Sequence, residues 1–73
     1  MKSKIHFYEG SNLYESIKTE IKVTPDFIKN KLRKKYKKNP TNLDLWAILI
    51  IDEIEIARFI FIHDKGLFSN AII

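Results

Sequence analysis

Three carboxylates crowd into five residues at Asp52, Glu53 and Glu55, in the stretch DEIEI. Paired carboxylates can exchange protons with a substrate or hold a divalent ion. On a strand, Glu53 and Glu55 share one face. Nothing nearby completes such a site. His6 and His63 are isolated, no Asp/Glu/His cluster has metal-ligand spacing, and no glycine-rich phosphate loop is present. Ser3, Ser11, Ser16 and Ser69 belong to no nucleophile motif. The sequence therefore predicts neither an enzyme nor a cofactor nor a metal. The carboxylates read as a polar strand face and a turn. Together with Asp44 and Asp64 they also form a candidate acidic surface for a basic partner.

The opposite charge is gathered in KNKLRKKYKK, residues 29–38. Lys31, Arg33, Lys34, Lys35, Lys37 and Lys38 could contact phosphates from one helix, and Tyr36 could stack on a base. Only Arg33 offers a planar fork. The competing reading is a solvated helix face with Tyr36 in the core. The net charge of +4 hides this division. Residues 1–43 hold eleven Lys/Arg and four Asp/Glu, giving +7, and residues 44–73 hold two and five, giving −3. The two halves can face different partners, or each other in a dimer.

The elements that must position these residues are legible to different degrees. KIHFY alternates as a strand over 4–8. SNLYESIKTE is ambiguous. Leu13, Ile17 and Ile21 are spaced four apart, which predicts a helix near 11–21, but Ile17–Val23 also alternates as a strand does. The clearest element is a helix over 25–38. Thr24 suits the cap, Pro25 the first position and Asp26 the positive end of the dipole. Phe27, Ile28, Leu32 and Tyr36 form its apolar stripe, and Asn39–Pro40 ends it. Residues 44–51 and 54–63 are rich in isoleucine and predict an antiparallel pair turning near Asp52–Glu53. One long helix over 44–62 is the alternative. LFSNAII is an apolar tail that must dock on something. The expected class is α+β, a small antiparallel sheet packed with one or two helices.

Seventy-three residues allow a single small domain with a modest core. Without cysteine, no disulfide or thiolate metal site can staple it, so a second copy or a partner is the remaining common source of stability. The apolar stretch Ile5–Tyr8 is too short for a signal-peptide core. The longest apolar run, Leu45–Ile51, is far short of a membrane span. The expectation is an intracellular protein with no membrane contact.

One short motif remains. NLDLW, residues 42–46, resembles the peptide by which bacterial polymerases and repair proteins bind the replicative sliding clamp, which runs Gln-Leu-Asp/Ser-Leu-Phe. Leu43, Asp44 and Leu45 match it. Asn42 stands in place of Gln and Trp46 in place of Phe. Such a peptide works extended, its leucine and aromatic filling an apolar pocket while the amide fixes register. Leu43 and Leu45 also alternate as the start of a half-buried strand would. If Leu45 and Trp46 are buried in the fold, they cannot fill a partner's pocket.

In size, composition and this motif, the chain resembles the small host-takeover proteins of phages infecting low-GC bacteria. One group of these, from staphylococcal phages, inhibits the host sliding clamp, the β subunit of DNA polymerase III. The resemblance implies a homodimer in the host cytoplasm that binds the clamp and blocks its loading or use on DNA. Two modes are open. Residues 42–46 could enter the clamp's peptide pocket, or Asp44, Asp52, Glu53, Glu55 and Asp64 could address its basic DNA channel. The alternative is a small nucleic-acid-binding protein using the basic helix 25–38.

Overall fold

The computed structural model describes the backbone of residues 2–72 and the side chains of residues 2–69. Its elements are β1 (Ser3–Glu9), β2 (Asn12–Thr19), α1 (Pro25–Lys38), β3 (Leu45–Ile51), β4 (Ile54–Ile62) and β5 (Leu67–Ile72). The strands form one antiparallel sheet in the order β2-β1-β3-β4-β5. The fold is α+β, with the one helix α1 laid across one side of the sheet.

The helix forms for the reasons its sequence announces. Thr24 Oγ1 accepts the Phe27 N–H at 3.3 Å, and Pro25 opens the first turn. At the other end the Asn39 N–H donates to the Lys35 carbonyl at 2.9 Å, and Lys35, Lys37 and Lys38 sit in the last turn, where the dipole favours cations. Ile28 and Leu32 are fully buried, and Tyr36 packs edge-on against Phe61. Phe27, expected in the stripe, is 44% exposed, and at the start of α1 it lines an open apolar hollow with Ile17, Ile21 and Val23.

Alternation along the strands builds the floor beneath α1. Ile5 and Phe7 from β1, Leu45, Ala47 and Leu49 from β3, and Ala57, Phe59 and Phe61 from β4 all point to the helix. The hairpin expected at residues 44–63 is β3–β4. Its turn is Asp52–Glu53, both with left-handed φ (50° and 69°), the hand that a two-residue hairpin requires. Of the apolar tail, Leu67–Ile72 dock as β5 on β4, and residue 73 lies outside the described residues.

The helix expected near 11–21 is instead strand β2. A bulge explains why the spacing of four misled. The pairing with β1 shifts between Phe7 and Tyr8, leaving Tyr14 as the extra residue. Leu13 therefore pairs with Tyr8 on the side away from α1, while Ile17 pairs with Ile5 on the helix side. Ile21 falls beyond the strand and is 76% exposed. Three residues at helical spacing end in three different environments. β2 also gives β1 a second hydrogen-bonding neighbour, which a helix at the same place would not.

The open face of the sheet as a candidate interaction surface

The residues at even positions of β1, β3 and the end of β4 point away from α1. No second layer among the described residues covers them. Across the sheet they form rows. One row runs Leu13, Tyr8, Trp46, Ile60 and Ser69, and the next runs Ser16, His6, Ile48 and Arg58. A third holds Lys18, Lys4, Ile50 and Glu55, and at the other end Ile62 pairs with Leu67. Leu13, Ile60, Ile62 and Leu67 remain 52%, 38%, 39% and 59% exposed.

Trp46 organises the middle of this face. Its ring stacks on Tyr8 at 4.3 Å between centroids and 12° between planes. Its Nε1–H donates to the Gly10 carbonyl at 2.7 Å, and the Arg58 guanidinium lies over the ring at 5.9 Å. Arg58 is itself forked onto Glu55, with Nε to Oε2 at 2.8 Å and a second contact at 3.2 Å. A bulge makes this pair. Pairing shifts between Leu49 and Ile50, so Ile56 is extra and residues 55 and 58 land on the same side. The hydrogen bond to Glu55 raises the Arg58 pKa further above its ordinary value. Lys4 and Lys18 make no ion pair among the described residues, but Glu20, Asp52 and Glu53 line the same hollow, so the charge at that end is mixed. His6 Nδ1 lies 2.8 Å from Ser16 Oγ.

The 42–46 peptide does not survive as a docking element. Asn42, Leu43 and Asp44 are exposed in the loop before β3, where the Asp44 carbonyl accepts the Gly10 N–H at 2.8 Å. Leu45 is fully buried under α1, and Trp46 points to the opposite side of the sheet. Strand geometry forces that division, since successive side chains alternate. Presenting both to one pocket would mean extracting a central strand that is paired on both sides.

The acidic residues do not form one surface either. Asp52 and Glu53 cap the β3–β4 end, where Asp52 Oδ1 accepts the Lys2 N–H at 3.1 Å. Asp44 and Asp64 lie at the opposite end, a strand length of about 20 Å away. Asp64 is 3.1 Å from His63, and Glu55 is spent on Arg58.

On the helix the cations divide. Lys31 is paired with Glu15 at 2.8 Å, Lys35 lies 4.8 Å from the Tyr14 ring centroid, and Arg33 lies 4.9 Å from that of Phe68. Burial pushes the Tyr14 phenol up to about 12, with Glu15 and Glu9 adding to the shift. Lys34, Lys37 and Lys38 are exposed and make no ion pair among the described residues.

Tyr8, Ile60, Ile62 and Leu67 belong to no motif and are not among the residues that the sequence singles out. A signal for them existed. RFIFI and LWAILII are apolar at both parities, and a strand apolar on both sides needs cover on both sides. With residues 12–19 in a strand, a single helix among the described residues remains to provide it. Among the described residues no group of acidic and histidine side chains is placed to hold a metal, and no helix is long and apolar enough to cross a membrane. No family model, curated protein or solved structure matches the chain.

Proposed function

We propose that this chain is an inhibitor that works by binding a protein partner through the open face of its sheet. The partner that the sequence resemblance implies is the bacterial sliding clamp, and occupying it would stop its loading or use on DNA in the host cytoplasm. The observation that carries the binding mode is the uncovered face itself. Exposed Leu13, Ile60, Ile62 and Leu67 surround the Tyr8–Trp46 stack, with no second layer there among the described residues. The composition suits an interface, with aromatics and arginine at its centre.

The test is a titration of purified clamp with this protein. A complex in the nanomolar to micromolar range is expected, weakened by Ile60→Glu and unaffected by Leu43→Ala. Absence of any complex sinks the clamp assignment. A complex indifferent to Ile60→Glu, in a variant that circular dichroism shows to be folded, sinks the open face.

A second reading is favoured by a different observation. Lys34, Lys37 and Lys38 form an unpaired cationic ridge on the outer side of α1, suited to nucleic-acid phosphates. Base stacking on the sheet would not accompany it, because Tyr8 and Arg58 lie against the Trp46 ring. Binding would then be backbone-only, and its affinity would fall steeply with salt. A flat salt response, or none to Lys34→Glu with Lys37→Glu, rules it out.

A further inference from the structure

β2 is an outer strand of the sheet. Its inner edge pairs with β1, and no backbone hydrogen bond among the described residues reaches its outer edge. The bulge at Tyr14 lies toward one end. Glu15 to Thr19 therefore form an unbroken run opposite Phe7 to Ser3. In such a run every second residue turns its N–H and C=O outward, away from β1.

Beside this run, on the covered side of the sheet, lies a hollow of about 300 Å³. It exists because α1 packs on β3 and β4 and leaves the corner between its first turn and β2 open. Ile17 and Thr19 supply the β2 wall, Ile21 and Val23 the wall from the connection, and Phe27 the helix wall. The lining carries one charge, that of Lys22. Ile21 and Phe27 keep much of their apolar surface in solvent.

We infer that the outer edge of β2 takes up an extended segment of a partner protein as an added strand, with one large aliphatic side chain seated in the hollow. The outward N–H and C=O groups are partial charges of alternating sign at strand spacing. The backbone that complements them is another extended strand. Side chains of the added strand alternate between the two sides of the sheet, so every second one falls in line with Ile17 and Thr19. The one that reaches the hollow meets apolar walls. A nucleic acid carries no such backbone. A second copy of β2 fits badly. The antiparallel register that brings a copy's Ile17 beside Thr19 and the hollow sets Lys18 directly opposite Lys18, where like charges repel. With the two Ile17 residues facing each other instead, the residue beside Thr19 is the copy's Glu15, which Lys31 already holds. A lysine on an outer strand is a common guard against self-pairing of this kind. This site is separate from the open face and stands whether or not that face binds the clamp.

The probe is a fluorescein-labelled peptide of about seven residues, threonine alternating with valine around one central leucine. It is kept dilute so that it does not pair with itself, and its anisotropy is followed as the full chain is added. Saturable binding in the micromolar range is expected. Exchanging the peptide's leucine for asparagine should weaken it at least about ten-fold, and so should Ile21→Glu in the protein. Circular dichroism checks that this exposed-site variant is folded. Two N-methylated peptides test the strand pairing itself. Methyl groups on one alternate set of amides should abolish binding, and on the other set should leave it nearly intact, because only one edge of the guest meets β2. Absence of binding overturns the inference, as does equal behaviour of the two methylated peptides. Indifference to both the leucine exchange and Ile21→Glu also overturns it. So does a sedimenting dimer that the peptide dissociates, which would make a second copy the occupant of the edge.

Discussion

Tyr8 and Trp46 stack across the β1–β3 pair with ring centroids 4.3 Å apart, and the indole N–H is tied to the Gly10 carbonyl. One contact thus joins a central strand, its neighbour and the first hairpin turn. It also explains how an uncovered sheet face keeps order at its centre. The aromatic planes shelter each other, and the polar edge of the indole is satisfied inside the chain.

Replacing Trp46 by Phe keeps a ring but loses the hydrogen bond and part of the stack. The expected cost is about 1–2 kcal/mol, read from urea unfolding followed by circular dichroism. A variant as stable as the parent would mean the stack is incidental.

The two halves of NLDLW should respond oppositely to truncation. Leu45→Ala removes a fully buried side chain and should destabilise the fold by about 2–5 kcal/mol. Leu43→Ala, on an exposed loop side chain, should stay within about 0.5 kcal/mol of the parent. Thermal unfolding of the two variants separates these outcomes, and a neutral Leu45→Ala would contradict the burial of the peptide.

At the β3–β4 turn, Asp52 and Glu53 both hold left-handed φ without glycine. Asn at 52 keeps the acceptor for the Lys2 N–H, and Gly at 53 adopts that backbone without steric cost. The pair Asp52→Asn, Glu53→Gly should stabilise the protein by about 1 kcal/mol, seen as a higher Tm. Any loss of stability would show the turn to be of another type.

Tyr14 gives a signed pH effect. Its folded pKa is raised to about 12 by burial, above the ordinary 10.0. The unfolded chain therefore loses this proton first as pH rises. Its contribution to stability is intact below pH 10 and declines between about 10 and 12. Absorbance titration should show one late-ionising phenol that Tyr14→Phe removes, and that variant should lose less stability over the same pH interval.

The limits of local pattern are visible in particular residues. Thr24, Pro25, Asp26 and the Asn39–Pro40 stop announced α1, because capping and dipole effects act within one turn. The same held for the β3–β4 hairpin, whose isoleucines and turn position are local features. Residues 11–21 show helical spacing because the bulge at Tyr14 breaks the two-residue period, and only pairing with β1 reveals a bulge. The site was less legible. The motif at 42–46 and the acidic positions stand out by residue type, yet strand alternation sends Leu45 and Trp46 to opposite sides and topology sends the carboxylates to opposite ends.

By itself, then, the sequence determined one basic capped helix, an isoleucine-rich antiparallel pair and the α+β class. The tertiary structure decided which face of each strand is covered. That follows from the number of layers available, one helix among the described residues for a sheet apolar on both sides, and a count of layers belongs to the whole fold and to no local stretch.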